Sequence, residues 1–227
     1  MKLQAWRLAC MVNEVRLSFA GIYLHACMHH ITPGIWQAAT AAHAQATAST
    51  AAPLCLQDAC GCLERCSKPV IAVVHGACVG AGMDLICAAD LRVCAPEATF
   101  CVKEIDLAIT ADLGTLQRLP FIVGAGRASL MALTACNIAA STALSYGLVT
   151  GVLQAGDHVL EQGLQHAAAI AAKPRIAAMG TKRALLRARH EQSIEDGLTN
   201  VAQWNASMLW SNELQGVLSK MQKRSKL

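Results

Sequence analysis

Three carboxylates stand in one apolar segment of the chain, CVKEIDLAITADLGTLQRLP, at residues 101–120. Glu104 and Asp112 have mostly Ile, Leu and Ala around them, and a buried acid costs free energy unless it is paired. Burial also raises the pKa of a carboxyl group towards the range in which it can exchange protons near neutral pH. The segment is therefore a candidate for proton transfer to and from carbon, and a structural role for the two acids is the alternative. Asp106 is interpreted as a surface or structural residue.

A second candidate is the glycine-rich segment HGACVGAGMD, residues 75–84. Glycines let the backbone approach a ligand, and a helix that begins after them presents unpaired N–H groups to an anion or a developing oxyanion. Two phosphate-binding fingerprints fail here, because one requires Gly where Leu85 stands and the other requires Gly where Ala81 stands. A tight connection between a strand and a helix remains the alternative. Asp84 would lie in the first turn of that helix, where capping is an alternative to catalysis.

These residues must be positioned by an α/β arrangement. After Pro69, VIAVVHG has the length and apolar character of a buried strand, and a helix is expected from about Gly82. LRVCAPEATFCV predicts one or two short strands around Pro96, and TLQRLPFIVG predicts a short helix that stops near Pro120. The second half reads as helices with a break at Pro174. The expected fold is an α/β core followed by a helical region.

Composition narrows the function classes. The 227 residues are 54% hydrophobic and 15% charged with a net charge of +4, which predicts extensive burial or an oligomer interface and does not favour nucleic acid as a partner. Charged residues interrupt every long apolar run, so no membrane span is expected. The 11 cysteines are interpreted as reduced thiols rather than disulfides. No metal site is expected, because Cys55, Cys60, Cys62 and Cys66 lack a C-x-x-C pair and the His25/His29 pair lacks further ligands.

One stretch, from Ser67 to Pro120, resembles the core of the crotonase (enoyl-CoA hydratase/isomerase) superfamily. The matching pieces are KPVIAVVHG, the turn before MDL, AADLRVC and above all VKEIDLAITADLGTLQRLP. Within the superfamily these pieces are most similar to the delta(3,5)-delta(2,4)-dienoyl-CoA isomerases. The resemblance implies a crotonase-like (ClpP/crotonase) ββα spiral core over residues 1–160, with a shortened N-terminus and a variable segment at 37–66. A helical oligomerisation region would follow at 161–227.

The resemblance also implies roles for particular residues. Three acids line the acyl pocket of the isomerases, and the matching positions are Asp84, Glu104 and Asp112. Hydratases carry Glu at the first of these positions and Gly at the third, so the acids here favour the dienoyl isomerase. The thioester oxygen would be held by the N–H groups of Ala81 and Ile22. The second donor belongs to a loop similar to FAGIYL, whose other residues are Phe19, Ala20, Gly21 and Tyr23.

The implied reaction moves two double bonds without a cofactor. Glu104 would remove a proton from C2, the charge would spread through a dienolate, and Asp112 would protonate C6 while Asp84 tunes the pair. Alternatives of the same fold are an enoyl-CoA hydratase, a delta(3)-delta(2)-enoyl-CoA isomerase, or a shortened member without turnover. Expected partners are an acyl-CoA substrate and further copies of the chain in a trimer or hexamer.

The C-terminal tripeptide SKL has the form of a peroxisomal address read by an import receptor. It consists of Ser225, Lys226 and Leu227. The basic residues before it favour exposure of this end, so a peroxisomal location in fatty-acid beta-oxidation is expected.

Overall fold

The computed structural model describes residues 22–25, 51–154, 159–189, 193–209 and 211–224. The strands of this part are β1 (Ile22–His25), β2 (Ile71–Val74), β3 (Ala77–Val79), β4 (Leu91–Cys94), β5 (Thr99–Cys101), β6 (Ile138–Ala139) and β7 (Gly151–Val152). The α-helices are α1 (Ala51–Arg65), α2 (Ala81–Cys87), α3 (Thr115–Val123), α4 (Ala125–Thr134), α5 (Ala140–Tyr146), α6 (Val159–Ala171), α7 (Arg175–Arg187), α8 (Ile194–Met208) and α9 (Asn212–Arg224). A 3-10 helix spans Glu104–Leu107.

The seven strands of the described part form two separate sheets, one of four strands and one of three. The first has the order β1-β2-β4-β7, with β2, β4 and β7 parallel and β1 antiparallel at one edge. The second has the order β3-β5-β6, with β3 and β5 parallel. The chain alternates between them, because β2 and β4 enter the first sheet and β3 and β5 directly follow them in the second. Helix α2 connects one such strand pair to the next.

The core of the larger unit, Met1–Ala167, explains why the central strands and α2 form where they do. All four residues of β2 are buried, as expected for a parallel strand covered on both faces. Six of the seven residues of α2 are also buried. Large, fully buried side chains from several elements fill the space around them, including Leu63, Met83, Ile86, Phe100, Leu119, Met131 and Leu148. Burial therefore fixes the two elements that flank the glycine-rich segment.

The smaller unit, Ala168–Leu227, is helical. Pro174 is the N-cap of α7, and Glu213 accepts hydrogen bonds from the N–H groups of Arg175 and Ile176 at 3.1 and 2.9 Å, which satisfies the first turn of that helix. Trp204 of α8 packs against Gly180 of α7, and the Arg183 guanidinium lies 5.2 Å from the Trp204 ring. The prediction of a mostly helical second half with a break at Pro174 is confirmed, although the two short strands β6 and β7 also lie in that half.

Other local predictions have mixed outcomes. The strand after Pro69, the helix from about Gly82 and the strands on both sides of Pro96 are confirmed. The predicted stop near Pro120 is wrong, since α3 continues to Val123. Leu119 and Val123 are buried on either side of Pro120, and their packing outweighs the one hydrogen bond that proline removes. Most of the Ala/Thr-rich run lies outside the described residues, and α1 begins near its end.

Candidate active site

Glu104 occupies the most unusual position of the three acids. It begins the 3-10 helix after β5, and only 8% of the residue is exposed. Its Oε2 atom is buried and has no hydrogen-bond partner among the described residues. Its Oε1 atom lies 3.2 Å from the place where a Cβ on Gly80 would stand. A carboxylate oxygen without a partner is costly in the interior, so it is available to a group that enters from outside the chain.

Glu104 is also one of the residues that line an apolar cavity of about 360 Å³. The walls come from the 3-10 helix, the loop after it, α3 and α4. They include Ile105, Ile109, Leu116, Leu119, Ala128 and Leu133. A mostly apolar cleft with one convergent polar group is the usual form of a small-molecule site.

Asp84 is almost completely buried, with 1% of the residue exposed. Its Oδ1 atom accepts two hydrogen bonds from Thr115, one from the backbone N–H and one from the hydroxyl, both at 2.7 Å. Burial raises the pKa of Asp84 to about 6, the Thr115 hydrogen bonds oppose this rise, and the charges of Glu104 and Asp112 add to it. Both other acids therefore lie close enough to act on Asp84. Capping of its own helix is not its role, since it caps the start of α3 instead.

Asp112 differs from the expectation of two acids in one apolar pocket, because the residue is exposed. It lies on the irregular loop between the 3-10 helix and α3, whose residues 108–110 are also exposed, and such loops run over the surface. The loop backbone is held nonetheless, since Gln57 donates to the Asp112 carbonyl at 2.6 Å. Asp106 is exposed and pairs with Lys103, as expected for a surface residue.

Helix α2 brings the backbone N–H of Ala81 to the end of the glycine-rich segment. Ala81 is the first residue of the helix, where N–H groups have no partner within the helix. Gly80 before it has φ +57° and ψ −119°, a conformation that glycine adopts without strain. The segment is not one continuous turn, because β3 lies between Gly76 and Gly80.

The other end of α2 is fixed by Arg92, a buried residue of β4 that sequence reasoning did not single out. Its guanidinium donates to the carbonyls of Ala89 at 2.6 Å, Ile86 at 3.3 Å and Leu148 at 2.7 Å. Charged donors satisfy carbonyls at and beyond the helix end, so α2 is tied at its C-terminus.

Ile22 was expected on a loop, and the structure places it first in β1, opposite Val74 of β2. Val74 comes just before the glycine-rich segment, so the backbone of Ile22 runs beside the strand that leads into it. Tyr23 follows in β1 opposite Val73. Phe19, Ala20 and Gly21 lie outside the described residues, as do Ser225, Lys226 and Leu227.

None of the cysteines whose side chains the structure describes forms a disulfide, and several of them are buried. Burial raises the pKa of Cys60 to about 12 and that of Cys62 to about 11, which keeps both protonated near neutral pH. Among the described residues, no group of three His, Cys, Asp or Glu side chains has the arrangement of a metal site. None of the helices in that part of the chain has the length and apolar character needed to cross a membrane.

Solved structures have the same fold. An enoyl-CoA hydratase from Bacillus anthracis matches with a TM-score of 0.71 and 29% identity, over 76% of this chain and 66% of that one. A further structure, an enoyl-CoA hydratase of Streptomyces coelicolor described as putative, matches at a TM-score of 0.74 and 24% identity over 80% of this chain and 67% of that one. The fold, together with the apolar cavity that Glu104 lines, thus defines an α/β protein of the crotonase class.

A model of the enoyl-CoA hydratase/isomerase family matches residues 34–222. The chain belongs to the enoyl-CoA hydratase/isomerase family.

Within the family, the chain is similar to curated dienoyl-CoA isomerases. The peroxisomal delta(3,5)-delta(2,4)-dienoyl-CoA isomerase of Arabidopsis thaliana is 48% identical over 170 residues, which are 74% of this chain and 61% of that protein. The mitochondrial delta(3,5)-delta(2,4)-dienoyl-CoA isomerase of Homo sapiens is 44% identical over 159 residues, 70% of this chain and 48% of that protein. The chain therefore spans about half to three fifths of the length of these relatives.

Proposed function

We propose that the protein is an isomerase that converts 3,5-dienoyl-CoA to 2,4-dienoyl-CoA: one carboxyl group removes a proton from C2 of the substrate and another delivers a proton to C6. The observation that carries the proposal is Glu104: its buried Oε2 atom lacks a partner among the described residues, and the residue lines an apolar cavity. The similarity to dienoyl-CoA isomerases supplies the substrate class.

Glu104 is the proposed base. Its carboxylate lies against Gly80, one residue before the Ala81 N–H at the start of α2. A thioester whose oxygen accepts from that N–H would present C2 near the carboxylate. Glu104 then takes a proton from C2, the C2–H electron pair enters the conjugated system, and the negative charge reaches the thioester oxygen. Stabilisation of that oxygen is what makes the C2 proton acidic enough to remove.

The Ile22 N–H is the proposed second donor to the thioester oxygen, as the family resemblance implies. The first donor, the Ala81 N–H, is at the start of a helix and carries the positive end of the helix dipole. The pairing of Ile22 with Val74 places its backbone next to the strand that leads into the glycine-rich segment.

Asp112 is the proposed acid. It donates a proton to C6, which forms the new C–H bond while the double bonds shift to C2 and C4. Its exposure on the loop gives it a route to recover a proton from water, and Glu104 returns its proton to solvent after product leaves. Exchange with water restores both acids, and the substrate is neither oxidised nor reduced overall, so the proposed reaction needs no metal or redox cofactor. Asp84 would act on the pair through its charge.

Separate substitution of the acids tests the proposal. Glu104→Gln and Asp112→Asn should each reduce formation of the conjugated 2,4-dienoyl product by about 100-fold to 10,000-fold, the usual effect of removing an acid-base group. The absorbance of the product is the measurement, and Asp106→Asn, with its exposed carboxylate, is the matched control that should keep full turnover. Full activity of either active-site variant would overturn the assignment.

The proposed partners are an acyl-CoA substrate and further copies of the chain. The proposed location is the peroxisome, supported by the SKL tripeptide and by the peroxisomal relative, although the human relative is mitochondrial. A fluorescent protein fused ahead of the chain tests the location. Import that persists after removal of the last three residues would contradict a role for them.

A further inference from the structure

Thr115 makes a contact that neither the sequence pattern nor the proposed reaction requires. The residue is fully buried, and both of its donors, the backbone N–H and the hydroxyl, lie 2.7 Å from the same oxygen, Oδ1 of Asp84. Two donors on one carboxylate oxygen fix the direction of the carboxylate more firmly than one does, because each restricts a different angle. Thr115 thus fixes the orientation of Asp84.

The contact between Thr115 and Asp84 joins two segments of the proposed active site. Asp84 lies in the first turn of α2, three residues after Ala81, and Thr115 is the first residue of α3, three residues after Asp112. A single carboxylate oxygen therefore connects the helix start that bears the proposed oxyanion donor to the chain segment that bears the proposed acid.

We propose that Thr115 is a positioning residue: through its hydroxyl and N–H on Asp84 it holds the Asp112 segment at a fixed place relative to the start of α2. The inference rests on the proposed function. Substrate would be held at its thioester end by α2 and protonated at C6 by Asp112, so the spacing of these two segments determines whether the acid reaches its carbon. Displacement of a reacting group by about 1 Å can cost about 100-fold in rate.

Other contacts of the segment do not replace this one. Gln57 donates to the Asp112 carbonyl at 2.6 Å, and Arg118 donates to the Leu113 carbonyl at 3.5 Å, so both hold the loop to α1 and α3. Neither contact reaches α2. Gly114, directly before Thr115, has φ +121°, a conformation that favours glycine and allows the sharp change of direction into α3.

A second threonine of the chain provides a control that is matched in its hydrogen bonds, although Thr150 is exposed and Thr115 is buried. Thr150 also directs its N–H and its hydroxyl to one oxygen, the Arg92 carbonyl, at 2.8 and 2.9 Å. That oxygen belongs to β4 and contacts none of the three acids. Thr150→Val therefore removes the same kind of hydroxyl bond as Thr115→Val and leaves the proposed site unchanged.

The test measures kcat and KM for 3,5-dienoyl-CoA with wild type, Thr115→Val, Thr115→Ser and Thr150→Val, each well below its thermal unfolding midpoint. We expect Thr115→Val to lower kcat by about tenfold or more with KM within about threefold, the signature of an interaction that acts in the transition state. Thr115→Ser keeps both donors and should recover kcat to within about twofold of wild type. Thr150→Val should keep wild-type kcat even where its unfolding midpoint falls.

Three outcomes would overturn the inference. Equal kcat values for Thr115→Val and Thr150→Val in an active protein would remove Thr115 from catalysis and leave the proposed function intact. A serine variant as slow as the valine variant would show that the hydroxyl is not the cause. An inactive wild type would overturn both proposals, because no reaction would remain to be positioned. If Thr115→Val does not fold, Thr115→Ala is compared with Thr150→Ala under the same criteria.

Discussion

Glu104 and Asp112 are eight residues apart in sequence and are held in opposite ways. Glu104 follows a buried strand, is 8% exposed and lies against the backbone of Gly80. Asp112 is exposed on a loop, and the contacts that hold it act on its backbone. The proposed base is therefore placed by core packing, and the proposed acid by polar contacts near the surface.

This difference suits the two steps. Removal of a carbon proton needs a carboxylate whose direction and surroundings are set before substrate arrives, and a packed core provides both. The acid must exchange its proton with water in every cycle, which an exposed loop permits. Because Asp112 is exposed, its position depends on a few hydrogen bonds of its segment, including those that Gln57 and Thr115 donate. A partly buried ion pair between Arg118 and Glu64, 3.1 Å apart, joins α3 to α1 and so helps to hold the loop that carries Asp112.

Apart from replacement of the acids themselves, the largest expected effect comes from Gly80→Ala, which changes the packed surroundings of Glu104. A Cβ at this position would stand 3.2 Å from Glu104 Oε1, and φ of +57° is a conformation that side chains rarely adopt. We expect turnover to fall about 100-fold, because the carboxylate and the Ala81 N–H are both displaced. The free energy of unfolding should fall by about 1–3 kcal/mol from backbone strain. Steady-state kinetics and chemical denaturation measure the two effects.

Gly76→Ala is the matched control for this change. Gly76 also has a positive φ, +65°, but no described atom lies within 4 Å of its added Cβ. The control should lose stability in the same range and keep turnover within about threefold. An equal loss of turnover in both variants would show that general strain in the segment, and not the contact with Glu104, controls the base.

The next largest effect concerns Asp84, on which the charges of both Glu104 and Asp112 act. It should appear in the pH dependence of stability. Burial raises the pKa of Asp84 from 3.8 to about 6, so the folded protein retains this proton to higher pH than the unfolded chain does. Its contribution to the free energy of unfolding is fully present below about pH 4 and is lost as pH rises through about 6, by about 3 kcal/mol in total. Asp84→Asn should remove that part of the fall, as measured by urea unfolding between pH 4 and 7.5.

Asp106→Asn serves as the comparison for Asp84→Asn, because its carboxylate is exposed. It should keep the wild-type pH dependence. If Asp84→Asn also kept it, the burial of Asp84 would not control its protonation, and Asp84 could no longer be described as a charged link between the base and the acid.

Patterns among neighbouring residues predicted much of the packed region around Glu104 and less of the loop that carries Asp112. The buried strand β2, the start of α2 and the burial of Glu104 follow from apolar runs and glycine positions that are visible in neighbouring residues. The contacts of Thr115 with Asp84 and of Arg92 with Leu148 join residues 31 and 56 positions apart, so no local pattern contains them. A threonine at a helix start and an arginine in a strand are ordinary in sequence, and only the fold gives them their partners.

Two expectations failed for a related reason. Asp112 was expected in the pocket because its neighbours are apolar, yet Ile109 and Leu107 beside it are themselves exposed. Apolar composition indicates burial only where an element supplies a covered face, and in this loop only Ala111 is buried. The helix stop at Pro120 failed because the packing of Leu119 and Val123 outweighs a local penalty.

The smallest expected effect comes from Ala108→Gly, which acts on the loop side. Ala108 ends the 3-10 helix with φ 58° and ψ 29°, a left-handed conformation that costs a side-chain-bearing residue about 1–2 kcal/mol, and the residue is exposed. Glycine removes this strain but gains entropy in the unfolded chain, so we expect a net rise of about 0.5 kcal/mol in the free energy of unfolding. Turnover should stay within about twofold, because the polar contacts at residues 112 and 115 hold the acid.

Ala135→Gly is the control for this change. Ala135 has φ 47° but is only 7% exposed, so the variant loses a buried methyl group worth about 1 kcal/mol and should be less stable than wild type. Urea denaturation and turnover measurements on both variants check these values. A fall in turnover for Ala108→Gly alone would mean that the strained residue itself sets the spacing between Glu104 and Asp112, and the contrast between a packed base and an acid held by hydrogen bonds would then be wrong.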